Sequence, residues 1–257
     1  MPGHLIFIGT LHLPPLPGSP SCSTPLEDIL CSSLENAERM VEGGVDALLI
    51  ENYGDKPYLE RVCPETIVSM TVLAREIKRE ISIPLGINVL RNDWRAGLSI
   101  ASILKLDFVR INIVSGLYLT ETGVITGDPR GIAELRRKLS FSGTPEIYSD
   151  VLVKHSLPLY PRDLEEAILD LSERCGFVDA LILTGRRTGE PPMKEELAKA
   201  LEISELPVFV GSGVTPERVK EFKDADGVIV GTYLKEGEEV SIERVREIRR
   251  AIDSLSK

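Results

Sequence analysis

The sequence predicts an α/β fold, a single eight-stranded (β/α)8 TIM barrel, and three observations carry that prediction. Short Val/Ile/Leu-rich runs alternate with helical patterns throughout the chain, as expected of parallel strands buried beneath crossover helices. Eight such runs occur, at 5–12, 46–52, 84–89, 107–113, 146–153, 179–184, 207–212 and 226–232. The last two break into glycine, as Val208-Phe209-Val210-Gly211-Ser212-Gly213 and Val228-Ile229-Val230-Gly231-Thr232. Glycine leaves backbone N–H groups free to point at an anion, and the loops after strands seven and eight are the usual phosphate site of such barrels. The length of 257 residues suits one barrel, and no linker divides residues 1–257. An open doubly wound sheet explains the strand count less well, and no GxGxxG follows the first strand.

Each element has its local reason. Met1-Pro2-Gly3-His4 carries no basic segment or cleavage site, so the following Leu5-Ile6-Phe7-Ile8 reads as a first strand rather than a signal peptide. The loop from Leu13 to Pro25 is stiffened by prolines that restrict φ. A helix from Leu26 to Glu42 is closed by Gly43-Gly44, glycine being favoured just past a C-terminus. Further helical patterns run from Pro64 to Glu80, Asp163 to Cys175 and Lys194 to Leu201. Between the fourth and fifth strands, residues 117–127 resemble a β-hairpin inserted in a loop, suited equally to a lid or an oligomer interface. Thr215-Pro216-Glu217 opens another helix with a cap and a first-turn proline, and Ser241 to Ser256 forms the last.

Composition narrows the function classes. Hydrophobic residues at 42% and charged residues at 27% are ordinary for a globular chain. A net charge of −10 argues against nucleic acid and against adhesion to anionic membranes. An acidic protein that binds phosphate must use backbone amides and a few local cations. No apolar run approaches the ~18 residues of a membrane span. Cys22, Cys31, Cys63 and Cys175 lack CxxC spacing, which points to thiols in a reducing cytoplasm rather than disulfides or zinc.

Side chains alternate along a strand, and the polar ones fall on one parity. Thr10 and His12, Asn88, Arg110 and Asn112, Asp150 and Lys154, Thr184 and Thr232 should point into the barrel near its C-terminal mouth. Leu152 shares that parity, while Val109, Ile111, Ile113, Val151 and Val153 should face the helices. Ordinary barrel interiors are filled by Val, Ile and Leu, so a polar column at the strand ends suits an active site. A satisfied polar core layer is the bland alternative, evenly weighted for Arg110 alone. A buried arginine needs an acid, and Asp150 and Glu51 are the candidates. His12 and His155 end strands one and five, where a histidine suits proton transfer. Three roles fit Lys154: a Schiff base, a phosphate counter-charge or a general base. No cofactor is predicted. Glu51, Asp55, Asp93 and Asp150 could supply oxygen ligands to a divalent metal, but their spacing does not require one.

Several segments together resemble the BtpA/SgcQ family of βα-barrel proteins. They are Leu11 to Pro20, Glu51 to Tyr58, Gly86 to Asp93, Arg110-Ile111-Asn112, Asp150 to His155, Thr184-Gly185, Thr188-Gly189 and Gly211 to Val214. The resemblance implies a barrel, a link to photosystem I biogenesis for the member that names the family, and sugar metabolism for others. The glycine loops are also similar to those of phosphoribosylanthranilate isomerase. The catalytic positions depart from it: strand one offers Thr10 and His12 rather than a cysteine, and strand six ends in Thr184 rather than an aspartate.

The expected function is a cytoplasmic enzyme of isomerase or lyase type acting on a phosphorylated sugar or nucleoside-like metabolite. Lys154, His155, His12 and Asp150 would be catalytic, and Glu51, Asn88, Arg110, Asn112 and Thr184 would bind substrate. Gly211, Ser212, Gly213, Gly231 and Thr232 would hold the phosphate, and Gly213→Val would weaken binding while leaving the fold largely intact. The alternatives are a hydrolase for a glycosidic or phosphate bond and a non-catalytic assembly or regulatory factor. A homo-oligomer is possible.

Overall fold

The computed structural model describes residues 5–140, 144–161, 163–185 and 189–256. Met1–His4 and Thr188, which figured in the sequence reading, lie outside them. Eight parallel strands close into a barrel: β1 (Ile6–His12), β2 (Ala47–Glu51), β3 (Leu85–Asn88), β4 (Phe108–Ile111), β7 (Glu146–Asp150), β9 (Ala180–Leu183), β10 (Val208–Val210) and β11 (Gly227–Val230), the last pairing with the first. Helices α1 (Leu26–Gly43), α2 (Pro64–Glu80), α3 (Trp94–Leu104), α4 (Pro129–Leu139), α5 (Leu164–Leu169), α6 (Lys194–Ile203) and α7 (Ile242–Asp253) complete the βα pattern. No helix among the described residues is long and apolar enough to cross a membrane.

Local chemistry sets the helix ends. Gly44, in the left-handed region at φ 99°, donates its N–H to the carbonyls of Met40 and Val41 and so ends α1. Asp93 caps α3 by accepting from the Ala96 N–H, and Asp128 caps α4 by accepting from Gly131.

Alternation divides the buried side chains into two cores. Phe7, Leu11, Leu48, Ile50, Val109, Ile111 and Val151 face the helices. Ile8, Ala47, Leu49, Phe108, Ala180, Ile182, Phe209 and Ile229 fill the lower barrel. Two glycines make room for the rings: a Cβ on Gly86 would meet Phe108 at 2.2 Å, and one on Gly227 would meet Phe209 at 2.4 Å. Fully burying such a side chain contributes about 1.5–3 kcal/mol. This plug closes the bottom of the barrel and leaves the polar residues at the top.

The insertion after β4 is the predicted hairpin, β5 (Leu117–Thr120) and β6 (Gly123–Thr126), paired antiparallel. A third strand, β8 (Ser156–Tyr160), adds to β5 and makes a small sheet in the order β6-β5-β8. Pro158 hides β8 from a sequence reading, because proline cannot donate to a ladder; it is tolerated here because β8 is an edge strand.

Five expectations need correction. The strand predicted over 146–153 ends at Asp150, and the chain bends after it. In consequence Leu152 packs on the outer core rather than pointing inward. Ile113 and Val153 meet Tyr118 and Ile125 of the hairpin instead of a helix. The helix foreseen after Thr215 shrinks to one 3-10 turn at Val219–Phe222, and the helix foreseen to Cys175 widens into a π-type turn at Asp170–Cys175.

Candidate active site at the C-terminal mouth

The parallel register aligns four polar residues from adjacent strands. His12 is the partner of Glu51, Glu51 of Asn88 and Asn88 of Arg110, so β1 to β4 present one row just above the apolar plug. The Arg110 guanidinium donates to both Asp150 oxygens, from Nε at 2.8 Å and from Nη2 at 2.9 Å. Its Nη1 lies 3.9 Å from Glu51 Oε2. Burial alone would lower the Arg110 pKa, but Asp150 and Glu51 outweigh it and raise the value, so the group stays charged. Asn112 donates to Asp150 at 3.2 Å and accepts from Asn88 at 3.0 Å. The result is a connected network from Asn88 to Glu51 in which Arg110 is the central cation.

Two adjoining cavities open above this network. One, of about 240 Å³, is lined by Gly211–Thr215, Ile229–Tyr233, Gly189, Thr10, His12, Glu51, Tyr53, Arg110 and Lys154. The other, of about 640 Å³, lies toward β3, β4 and the hairpin and includes Tyr53, Tyr58, Arg91, Arg110, Asn112, Lys154 and His155. Glu51, Tyr53, Arg110 and Lys154 belong to both.

His12 stacks on Tyr53 with ring centroids 4.2 Å apart, and its Nε2 lies 3.7 Å from Glu51. Gly231 leaves room for the ring, since a Cβ there would approach His12 Cε1 to 2.6 Å. Burial lowers the His12 pKa from 6.5 to about 4; Glu51 opposes the shift, and Lys235, Lys154 and Lys56 add to it. The imidazole is therefore neutral at pH 7. The unfolded chain takes up a proton here near pH 6.5 and the folded protein only near pH 4, so folding stability from this group is full above pH 6.5 and falls as pH drops to about 4. The loss over that window should be on the order of 3 kcal/mol. Denaturation of His12→Gln at pH 6.5 and about pH 4 should show a correspondingly flatter acid profile than the parent; an identical slope would contradict the assignment.

Lys154 reaches both cavities because the chain turns after Asp150; a continued strand is not what brings it there. Burial lowers its pKa, and the nearby Arg110 lowers it further. Arg91 holds the turn: its Nη2 donates to the Lys154 carbonyl at 2.7 Å, and its Nε lies 3.1 Å from Glu121 at the hairpin tip. His155 adopts φ 56°, lines the larger cavity and has its pKa lowered by burial and by Lys154.

The two glycine loops share the smaller cavity, but some of their residues are engaged within the fold. The Ser212 hydroxyl accepts from the Gly185 N–H at 2.9 Å and donates to the Glu190 carbonyl, so it joins two loops. Gly213 sits at φ 67°, and a Cβ there would meet Pro191 N at 2.3 Å. Gly213→Val would thus strain the backbone, contrary to the expectation that it spares the fold. Asp150 is fully buried under Arg110 and, like Asn88 and Thr184, lines neither cavity; Thr184 donates to the Leu152 carbonyl at 3.4 Å. The four carboxylates considered for a metal do not gather. Asp55 accepts from the Leu16 N–H and from Asn52, Asp93 caps α3, and Glu51 and Asp150 face Arg110.

Arg91, Tyr53, Tyr58 and Glu121 are site residues that strand parity does not reveal, although three of them lie in segments with family resemblance. The clustering of Tyr53 and Tyr58 right after Glu51 was the available signal. Nothing in the sequence linked Arg91 to Lys154, 63 residues away.

The chain matches the family model described as "BtpA family" over residues 4–254. It is 46% identical over 254 residues to an uncharacterized protein of Pyrococcus horikoshii, covering 97% of this chain and 96% of that protein. It is 36% identical over 255 residues to the photosystem I biogenesis protein BtpA of Synechocystis, covering 98% of this chain and 85% of the relative. Its barrel is similar to that of (S)-3-O-geranylgeranylglyceryl phosphate synthase from Thermoplasma acidophilum, solved with its substrate sn-glycerol-1-phosphate, at a TM-score of 0.56 and 15% identity over 98% of this chain and 94% of the other. At that identity the likeness is one of fold. The family match and the extent of the sequence identities place this chain in the BtpA family.

Proposed function

We propose that the protein is an enzyme of isomerase or lyase type that acts on a phosphorylated small molecule. The observation that carries this reading is the shared cavity, in which both glycine loops face the same space as Lys154, Glu51 and His12. Phosphate would lie against the backbone of Ser212–Gly213 and Gly231–Thr232, a contact that supplements the cations an acidic chain must concentrate locally; the Gly211 N–H is taken by the Leu183 carbonyl at 2.7 Å. A lysine whose pKa is lowered carries more free amine near neutral pH, able to take a proton from carbon or to add to a carbonyl. Neutral His12 would donate a hydrogen bond to an oxygen on which charge develops, as a neutral imidazole can. Arg110, fixed by Asp150, would orient a hydroxyl or carbonyl group without moving. The fold relative solved with sn-glycerol-1-phosphate agrees with a phosphate ester as ligand.

Inorganic phosphate and sugar phosphates should raise the melting temperature, by an amount that grows with the logarithm of ligand concentration once it exceeds Kd. Gly231→Val, whose side chain would intrude on His12 and the cavity, should lose that protection while remaining folded by circular dichroism. A wild-type protein indifferent to phosphate and to every phosphorylated compound in a broad turnover screen would overturn the proposal.

One observation favours a second reading, a protein-binding assembly factor. Leu119, Val124 and Leu157 are cross-strand neighbours on the small sheet, and with Leu159 they are 45–58% exposed. A contiguous apolar patch of this kind marks an interaction surface, either for a partner or for a second copy of the chain. On that reading Leu157→Ser would impair function and Lys154→Met would not.

A further inference from the structure

The larger cavity gathers more positive charge than its own carboxylates neutralise. Lys56, Arg91, Arg110 and Lys154 line it, against Glu51 and Glu121. Arg110 is matched by Asp150 and Arg91 by Glu121. Among the described residues, neither the Lys56 nor the Lys154 ammonium has an ion pair; Lys56 Nζ lies 3.7 Å above the Tyr53 ring centroid, at the cavity wall. The field of these groups is felt nearby: Lys154, Arg91 and Lys56 all push the His155 pKa down, and Lys154 and Lys56 do the same to His12. In a chain of net charge −10, cations gathered at a cavity raise the local concentration of anions there.

We propose that this compartment is a second anion site, facing Lys56 and Arg91, and that the ligand is a phosphorylated compound with a second anionic group, a carboxylate or a second phosphate. The inference rests on the phosphate reading of the glycine loops. One molecule can span both sites because the two cavities meet at Glu51, Tyr53, Arg110 and Lys154. Lys56 lines only the larger one, which places the second anion away from the glycine loops.

Calorimetric titration of wild type and Lys56→Met with sorbitol 6-phosphate, 6-phosphogluconate and sorbitol 1,6-bisphosphate tests this, with inorganic phosphate as the reference. The wild type should bind at least one of the two-anion compounds about tenfold more tightly than sorbitol 6-phosphate, the gain of a charge-assisted hydrogen bond. Whether the carboxylate or the second phosphate gives the gain identifies the anion. Lys56→Met should lose most of that gain and bind sorbitol 6-phosphate as the wild type does. Equal affinity for all three in the wild type, an undiminished gain in Lys56→Met, or binding of inorganic phosphate with none of the three would overturn the second site. No binding of inorganic phosphate or of any of the three would instead remove the phosphate reading beneath it.

Discussion

Asp150→Ala is expected to cost about 3–5 kcal/mol of folding stability, the usual penalty for removing one partner of a buried pair. The carboxylate is fully buried and accepts three hydrogen bonds, two from Arg110 and one from Asn112. Without it the guanidinium keeps only Glu51, at 3.9 Å, in a site with little access to water. Chemical denaturation should show a lower midpoint with an unchanged slope. Asp150→Asn should also be destabilised, since it keeps the volume and loses the charge. Replacing both members, as Arg110→Met with Asp150→Leu, should recover much of the loss, because a buried pair is often no better than apolar side chains of similar size. An unchanged melting temperature in Asp150→Ala would mean that Arg110 does not depend on it and would free Asp150 to act as a base.

Lys154→Met should have the opposite signature, with turnover falling about a thousandfold and stability holding within about 1 kcal/mol. Stability should hold because the ammonium forms no ion pair among the described residues and burial already disfavours its charged form. Arg91 grips the main-chain carbonyl of this residue, so the turn survives the substitution. The kcat/KM of the wild type, on the first phosphorylated compound found to be turned over, should rise with pH through a value below that of an ordinary lysine as the amine loses its proton. Full activity in Lys154→Met would move the proton-transfer role to His12, the next group at the same cavity.

The hydrophobic pattern by itself determined the barrel. Eight apolar runs separated by helical periodicity leave few ways to bury a parallel sheet, and all eight predicted segments contribute a strand to the closed sheet. Strict alternation along each strand likewise placed Arg110, Asn112 and Asp150 on the inner face and Val109, Ile111 and Val151 on the outer one. Side-chain direction in a strand is a local property, so sequence suffices while the strand lasts. Beyond its end, direction is decided by whatever the chain meets. Only the tertiary structure decided that the chain bends after Asp150, that Arg91 from the β3 loop holds Lys154 and that β8 joins the hairpin. The same holds for the Ser212 hydroxyl, which donates to the Glu190 carbonyl, and for Gly213, against which Pro191 packs closely. Local periodicity does not encode these long-range contacts, and at the barrel mouth they determine which polar groups remain available to a ligand.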